Sequence, residues 1–585
     1  MKAVFRLLQH PAVALVPLLA PMLLFAYLIA RYAVNVPYQD AFDGLVGPVA
    51  ALSKNPGLAE GWRILYEQDD ERRVIFNRLL AYGVYLVNGE HDHRLQIYVG
   101  CLTLLGFWLL FYRTIRRLGL PLWTVIPVSL FLFQPQYYEG VFWSMLPGQY
   151  FAVFFFAFWT IYLVARPERW ALGAALVTAV LAICSDSNGS FAWVTGILIL
   201  LYQRRYRHLL VWVLAIIPVL FLYYYQLKIP AYRPKISDNL LQLPEIVITD
   251  FFAFQGIFAD PGPGFGLTVR VALPAAVGVL VFVAIGYWLL SLLTQYPVWN
   301  WPTWLTTARE RYRQHPHPVL FLTGGAVVLL ITMLAFSVAR AGDGIEDLFF
   351  NRYKLIAALV LLLLYGLVLV GTPEAGRRTV AVAFLGFSLV FWGTAYFQYW
   401  SEAVNFRRAL LIDAYSWQHT RTLPSSPIYL SFRKPVDDFV LEALRTRTYR
   451  FPEGFYSGIG ELARQDTTAR LRLATELSDK VEYLTVRDSA FVRGPGRDDG
   501  AYIVLHSDRM TYLFYTVQQR NGVRPFLRTG NYYRPGYVST PILLHSLRPD
   551  TYRIGVLTVA GEDRSVQYSA QRLVVPDNGL AVLRE

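Results

Sequence analysis

LIAALVLLLLYGLVLVG, residues 355–371, decides the fold class. No side chain in it is charged, and Tyr365 supplies its only side-chain hydroxyl. A helix with no polar face has nowhere to sit on a soluble surface, and a run of this length and uniformity fits the interior of a bilayer. VALVPLLAPMLLFAYLIA (13–30) and LVTAVLAIC (176–184) read the same way. Of the 585 residues 55% are hydrophobic and only 16% charged, whereas a soluble domain carries about a quarter charged residues. Aromatic residues reach 16%, with 15 Trp and 38 Tyr, as interfacial belts of Trp and Tyr require. The class is an α-helical polytopic membrane protein, and a soluble enzyme is excluded. Cys101 and Cys184 lie inside apolar runs and offer neither a disulfide framework nor a CxxC metal pattern.

Working outward, the apolar pattern places eleven spans, near 11–34, 96–112, 120–135, 147–165, 170–184, 190–202, 209–226, 269–293, 318–338, 353–371 and 379–400. The first run is too long for a cleaved signal sequence and reads as a retained span. The stretch 74–88, VIFNRLLAYGVYLVN, is about 22 Å long as a helix, short of a ~30 Å hydrocarbon core. It reads as an amphipathic helix at the outer interface.

Net charge is +13, and its distribution orients the chain rather than pointing to nucleic acid. One set of alternate loops is strongly basic, from Lys2 and Arg6 through RTIRR (113–117), Arg166, Arg169, QRRYR (203–207) and RERYR (309–313) to Arg377 and Arg378. Its acids are Glu168, Glu310 and Glu374. The opposite set is rich in acids: Asp40, Asp43, EQDDERR (67–73), Asp343, Glu346 and Asp347. By the positive-inside rule the basic set and the N-terminus are cytoplasmic. Eleven crossings then leave everything after residue 400 outside.

Residues 401–423 read as a helix continuing from the last span, and 434–447 as a second helix. From about residue 480, YIVLHSD, MTYLFYTVQQ, TYRIGVLTVAG and VQYSAQRLVV alternate in the manner of strands, broken by RNG, RPG, RPD and DNG turns. The expected organisation is a transmembrane domain over 1–400, a helical connector over 401–480, and a β-sandwich-like extracytoplasmic domain over 481–585. His506 and His545 read as packing or surface residues.

Charged chemistry gathers on the outer face. A carboxylate at a membrane edge, such as Asp40 or Asp43, suits a general base for an acceptor hydroxyl, or a ligand for a hard cation such as Mg or Mn; two solvated acids at a helix cap are the bland alternative. EQDDERR is either a solvated face or a cluster held down by the helix behind it. Arg340, Arg352, Tyr353 and Lys354 bracket a short outer loop. Arginines at that depth are costly unless paired; either Asp343, Glu346 or Asp347 pairs them, or the phosphate of a lipid does. Arg233 and Lys235 are weaker candidates of the same kind. No GxxxxGK[ST] or GxGxxG is present, so a soluble nucleotide donor has no cradle.

These residues resemble the GT-C class of glycosyltransferases, in particular a large bacterial set of such membrane proteins. PYQDAFD (37–43) is similar to the Pro-aromatic-x-Asp opening of their first outer loop, and Asp70-Glu71-Arg72-Arg73 followed by VIFNRLL to their Asn-Glu-His-Arg stretch and its apolar helix. The Asn and His of that stretch are replaced here. QYYEGVFWSMLPGQYFAVFFF (136–156), SNGSFAW (187–193) and FSVARAGDGIEDLFFNRYKL (336–355) follow in the expected order. The resemblance covers 35–355 and leaves out the C-terminal β domain. It implies an enzyme of the bacterial cytoplasmic membrane that takes a sugar from a polyprenyl-phosphate donor. The sugar goes to an acceptor hydroxyl on a glycan, lipid or protein, outside the membrane and with inversion. It further implies Asp40 as base, Asp43 beside it, Asp70 and Glu71 as acceptor or metal helpers, and Arg73, Arg78, Arg340, Arg352 and Tyr353 around the lipid phosphate. Two other readings stand beside it: a transporter or flippase of lipid-linked sugars, which would bind at the midplane, and a non-catalytic envelope-assembly protein.

Overall fold

Apolar patterning and helix-breaking residues together set the architecture of the computed structural model. It describes residues 10–262, 264–294, 301–302, 305–426, 433–465, 470–478, 480, 482–491, 493–494 and 496–585; Lys2 and Arg6 of the charge argument lie outside them. The chain divides into two units, one of Met1–Ala30, Ala51–Gly89 and Leu95–Trp400, the other of Arg31–Ala50, Glu90–Arg94 and Ser401–Glu585.

The first unit is helical. Among the described residues eight helices are long and apolar enough to cross a membrane: Pro11–Tyr32, His93–Arg116, Pro147–Val164, Tyr206–Tyr224, Leu267–Leu293, Pro316–Asp343, Asn351–Gly371 and Glu374–Thr420. Eleven were expected, and the other three segments are shorter or broken. Arg169–Ser185 and Ser190–Tyr202 have 17 and 13 residues, about 25 Å and 20 Å of helix. They meet at Asp186, whose side chain accepts from the Asn188 amide at 3.2 Å and turns the chain. Helix Ile75–Asn88 is not among the eight and stops at the left-handed Gly89, φ 77°.

The segment expected at 120–135 is a one-turn 3-10 stretch, Leu122–Val125, followed by the wholly buried helix Ile126–Leu132. Pro135 then denies Gln134 a helical conformation. This broken segment runs alongside helix Leu355–Gly371. The Tyr365 hydroxyl donates to the Thr124 carbonyl at its start. The Asn351 amide reaches the Tyr138 hydroxyl at 3.5 Å, and the Arg352 N–H reaches Glu139 at 3.3 Å, beyond its end. From Tyr365 to Arg352 a helix rises about 20 Å.

One crossing in this unit is set by glycine. A Cβ on Gly278 would lie 1.7 Å from the Phe252 carbonyl oxygen, and one on Gly256 would lie 2.0 Å from that of Pro274. Helices Pro244–Gln255 and Leu267–Leu293 therefore touch backbone to backbone, the approach that small residues permit between membrane helices. Gly278→Ala is expected to cost about 1–3 kcal/mol through overpacking, read as earlier unfolding in an SDS titration; a variant as stable as wild type would contradict the close crossing.

The second unit combines helices with one sheet. Helix Glu374–Thr420 has 47 residues, about 70 Å, more than twice a hydrocarbon core; its last 20 residues belong to this unit. The expected helix at 434–447 is Arg433–Arg445. The strands are β1 Arg470–Leu471, β2 Ala474–Leu477, β3 Tyr483–Asp488, β4 Gly500–His506, β5 Thr511–Val517, β6 Tyr537–Ser539, β7 Ile542–Leu543, β8 Asp550–Ala560, β9 Asp563–Val575 and β10 Val582–Arg584. Their order is β1-β9-β8-β4-β5-β6-β3-β2, with β10 on β9 and β7 on β3. All pairs are antiparallel except β1–β9.

Two expectations are corrected here. The sheet begins at residue 470, inside the stretch read as a helical connector. It is also one continuous, curled sheet rather than a sandwich of two, because β5 pairs with β4 on one side and β6 on the other. The alternation that suggested two inner faces is real, since every residue of β4 is buried. Tyr502 and Val504 point to Leu410, Leu411 and Tyr415 of the long helix. Ala501, Ile503 and Leu505 point to Leu484, Val486 and Phe514 inside the curl. A helix therefore covers the face that a second sheet would have taken.

Candidate functional site

EQDDERR folds as a tight turn. The Asp69 N–H donates to the Arg72 carbonyl at 2.8 Å and the Arg72 N–H returns the bond at 3.0 Å. Asp70 takes the left-handed conformation, φ 51°, which Asp tolerates better than most residues. The turn presents Asp70 and Glu71 at its tip, within the first unit.

Two residues expected around a phosphate hold this turn from behind. The Arg73 guanidinium is buried and donates to the carbonyls of Tyr223 at 2.8 Å, Tyr225 at 2.6 Å and Tyr66. Arg78 is also buried and donates to the Ile64 carbonyl at 3.0 Å and to that of Glu67. Carbonyls at helix ends lack intrahelical partners, and these two side chains satisfy them. Arg73 and Arg78 are thus anchors of the loop, a correction to their expected place at a phosphate.

The tip meets residues far away in sequence. Arg233 donates to Asp70 at 2.9 Å and to Glu71 at 2.6 Å, and lies 3.4 Å from Asp343. Arg340 donates to Glu71 at 2.9 Å and to Asp343 at 3.0 Å. The Tyr232 hydroxyl also donates to Asp70. Three carboxylates and two guanidinium groups from three separate loops form one half-buried network. Burial acts to raise both tip carboxyls. At Asp70 hydrogen bonds from Tyr232, Glu71 and Arg233 outweigh it, and the carboxyl is held below its ordinary range. At Glu71 burial and the adjacent Asp70 outweigh Arg340, and the carboxyl is raised.

Arg352 lies on the far side of the same short loop. Its guanidinium is 3.9 Å from Glu139 and packs on Phe350 at 4.6 Å and Tyr353 at 5.0 Å. Tyr353 is buried, with its ring 4.7 Å from Phe336 and 5.7 Å from Tyr150. Asp347 joins the two arginines electrically. Burial and Asp343 raise its carboxyl against the opposing charges of Arg352, Arg340 and Arg233. Lys354 belongs to a separate buried group, 2.8 Å from Asp260 and 3.0 Å from the Tyr399 hydroxyl; Arg270 completes it at 3.0 Å from Asp260.

Asp40 and Asp43 lie in the second unit. Asp40 sits in a turn closed by the Gly44 N–H on its carbonyl at 2.8 Å, after Gln39 with φ 45°. Asp43 is exposed on the one-turn π-helix Phe42–Val46. This segment is fixed by its apolar neighbours: Phe42 packs with Trp417, Val436 and Val440, and Tyr38 with Phe406 at 5.0 Å. His506 bonds Thr511 at 2.8 Å and borders a pocket of about 620 Å³ between Tyr415, Tyr456 and Arg464.

Sequence reading ranked Arg233 low and offered Asp343 only as a possible partner for the arginines; both are central to the network. Glu139, the partner of Arg352, had no signal of its own, since one acid among aromatic residues has no spacing to betray it. No group of three or more ligating His, Cys, Asp or Glu side chains occurs among the described residues. The three network carboxylates already accept from arginines, so they do not fit a resident divalent cation. Compared with protein-family models, curated proteins and solved structures, the chain matches none.

Proposed function

We propose that the chain is a membrane glycosyltransferase of GT-C architecture. It moves a sugar from a polyprenyl-phosphate carrier to an acceptor hydroxyl on the outer face of the bacterial cytoplasmic membrane. The observation that carries the reading is the Asp70–Glu71–Arg233–Arg340–Asp343 network with Arg352 beyond Asp347. It gathers half-buried guanidinium groups at the ends of apolar helices, where a lipid-borne phosphate has to be met.

That placement takes an odd number of crossings, with the eight long helices as its base. The hairpin 169–202 adds two or none and leaves parity alone. Parity therefore turns on 120–142, and this segment follows helix Leu355–Gly371 from the level of Tyr365 to that of Arg352. Counted as a crossing, it keeps the basic loops on one face and the network on the other.

In the reaction a bond forms between the acceptor oxygen and the anomeric carbon. The bond from that carbon to the phosphate oxygen breaks, and the leaving phosphate keeps the electron pair. The acceptor proton passes to a carboxylate. Arg340 and Arg352 stabilise the charge growing on the phosphate by charge-assisted hydrogen bonds, strongest where water is excluded. Tyr353 and Phe350 hold the Arg352 plane. The acids of the network keep the guanidinium groups oriented before the donor arrives. The base role stays with Asp40, as the resemblance implies, and no step runs through a metal.

Asp40→Asn is expected to lower transfer of a labelled sugar from polyprenyl phosphate by about 10²–10⁴-fold, the usual worth of a general base, with the protein still present in membranes at wild-type level. Near-normal turnover removes Asp40 from that role. Movement of the labelled lipid across proteoliposomes with no glycosidic bond formed would instead favour a flippase.

A further inference from the structure

A second charged cluster lies at the other end of the first unit. Arg113, Arg116 and Arg117 follow one another at helical spacing where helix His93–Arg116 ends, so all three share a face. With Arg166, Tyr112 and Tyr162 they line an open pocket of about 380 Å³. The Arg117 and Arg166 guanidinium groups lie 5.6 Å and 5.3 Å from the Tyr162 ring. The main-chain carbonyl of Leu120 takes one Arg116 donor. Among the described residues no carboxylate lies within ion-pair distance of these four arginines. Glu168, two residues past Arg166, is exposed and acts on Arg205.

Two polar atoms at this pocket have no partner among the described residues. The Tyr162 hydroxyl is buried and makes no hydrogen bond, on a residue 1% exposed. The Arg166 Nε is likewise buried and unbonded. Buried donors without acceptors are costly, and like charges on one helix face repel. A single anion in the pocket answers both.

His317 fixes the pocket's position. Its ring packs edge-on against Tyr162 at 4.4 Å and bonds the Tyr162 carbonyl at 2.9 Å. It stands in the first turn of helix Pro316–Arg340, which ends at Arg340. Those two residues are about 35 Å apart along the axis, so the pocket and the Arg340 network lie at opposite ends of one membrane-length helix.

We infer that the Arg113–Arg116–Arg117–Arg166 pocket is a binding site for a phosphate-bearing anion, with the Tyr162 hydroxyl as an additional donor. The ligand class is a phosphate ester, either the headgroup of an anionic lipid in the adjoining leaflet or a soluble phosphate compound. Basic pockets between membrane helices take such headgroups. The inference does not depend on glycosyl transfer.

The full chain, purified in a neutral detergent, is titrated with phosphatidylglycerol and with phosphatidylcholine of the same acyl chains, read by native mass spectrometry. Inorganic pyrophosphate is the competing probe. Phosphatidylglycerol is expected to bind at least about tenfold tighter than phosphatidylcholine, and Arg117→Gln with Arg166→Gln to remove about tenfold of that affinity, the worth of one or two charge-assisted bonds. Arg207→Gln, a basic residue outside the pocket, should change nothing, and Arg113→Gln serves if the double variant does not fold. Displacement by pyrophosphate also supports the site and makes the source soluble; failure to compete, with the lipid preference intact, makes it the lipid. Equal binding of both lipids with no effect of pyrophosphate overturns the inference, and so does a loss with Arg207→Gln as large as with the pocket variants.

Discussion

Arg340→Gln should lower the turnover of sugar transfer by about 10²–10³-fold, the usual loss when one donor to a developing oxyanion is removed. Arg340 bonds Glu71 at 2.9 Å and Asp343 at 3.0 Å, so a clamp between loops is the competing explanation. Two companion variants separate them. Asp343→Asn weakens the same contact but leaves the guanidinium in place; it should cost no more than about tenfold, roughly the 1.4 kcal/mol of one modest contact. Arg340→Lys keeps the charge and loses the planar fork, and should fall between. If Asp343→Asn is as damaging as Arg340→Gln, the arginine is a clamp and the phosphate role fails. Turnover within twofold of wild type for Arg340→Gln would end it more directly.

Arg408→Ala should destabilise the second unit by about 3–5 kcal/mol, combining a large-to-small cavity with the loss of three donor contacts, although the Ala501 carbonyl keeps the Thr516 hydroxyl at 2.7 Å. Arg408 is 1% exposed. Its guanidinium donates to the Ala501 carbonyl at 2.7 Å, the Thr516 carbonyl at 2.9 Å and the Tyr502 hydroxyl at 3.1 Å, and lies 4.4 Å over the Tyr502 ring. It ties the long helix to β4 and β5 without a carboxylate. Gly500 makes room for it: a Cβ there would lie 2.6 Å from the Arg408 Nη2, and its φ of 151° suits glycine. Unfolding of the full chain in denaturant, followed by the far-UV signal of the sheet, gives the measurement. A midpoint within about 1 kcal/mol of wild type would mean that the carbonyls find other donors. Arg408→Met, which refills much of the volume, should recover part of the loss.

Periodicity along the chain was enough for the long uniform helices. A bilayer-length apolar run such as 355–371 has one low-energy solution, and its neighbours barely alter it. The same local logic found the helix from 401 and the strand runs after 480, because alternation and turn residues act over a few positions. It did not show that 120–135 is broken into a 3-10 stretch and a short helix before Pro135, because its apolar composition reads as one continuous helix. It also misread the sheet. Whether alternating strands close on a second sheet or on a helix depends on pairings such as β5 with β6, which no single segment encodes.

The network was legible only in part, because charge pairs are non-local. Arg340 and Arg352 stood out as costly charges at helix ends, and Asp70 and Glu71 only as part of a dense charged run. Arg73 and Arg78, placed at the phosphate only by the resemblance, bond main-chain carbonyls instead: Arg78 those of nearby Ile64 and Glu67, and Arg73 those of Tyr66, Tyr223 and Tyr225, the last two in reach only once helix Tyr206–Tyr224 lies beside it. Arg233 had to be brought across about 160 residues of chain to bond Asp70 and Glu71. Hydrophobic patterning specifies a segment's environment residue by residue. The partner of a buried charge is chosen by which loops the packed helices bring together, and that choice exists only in the folded chain.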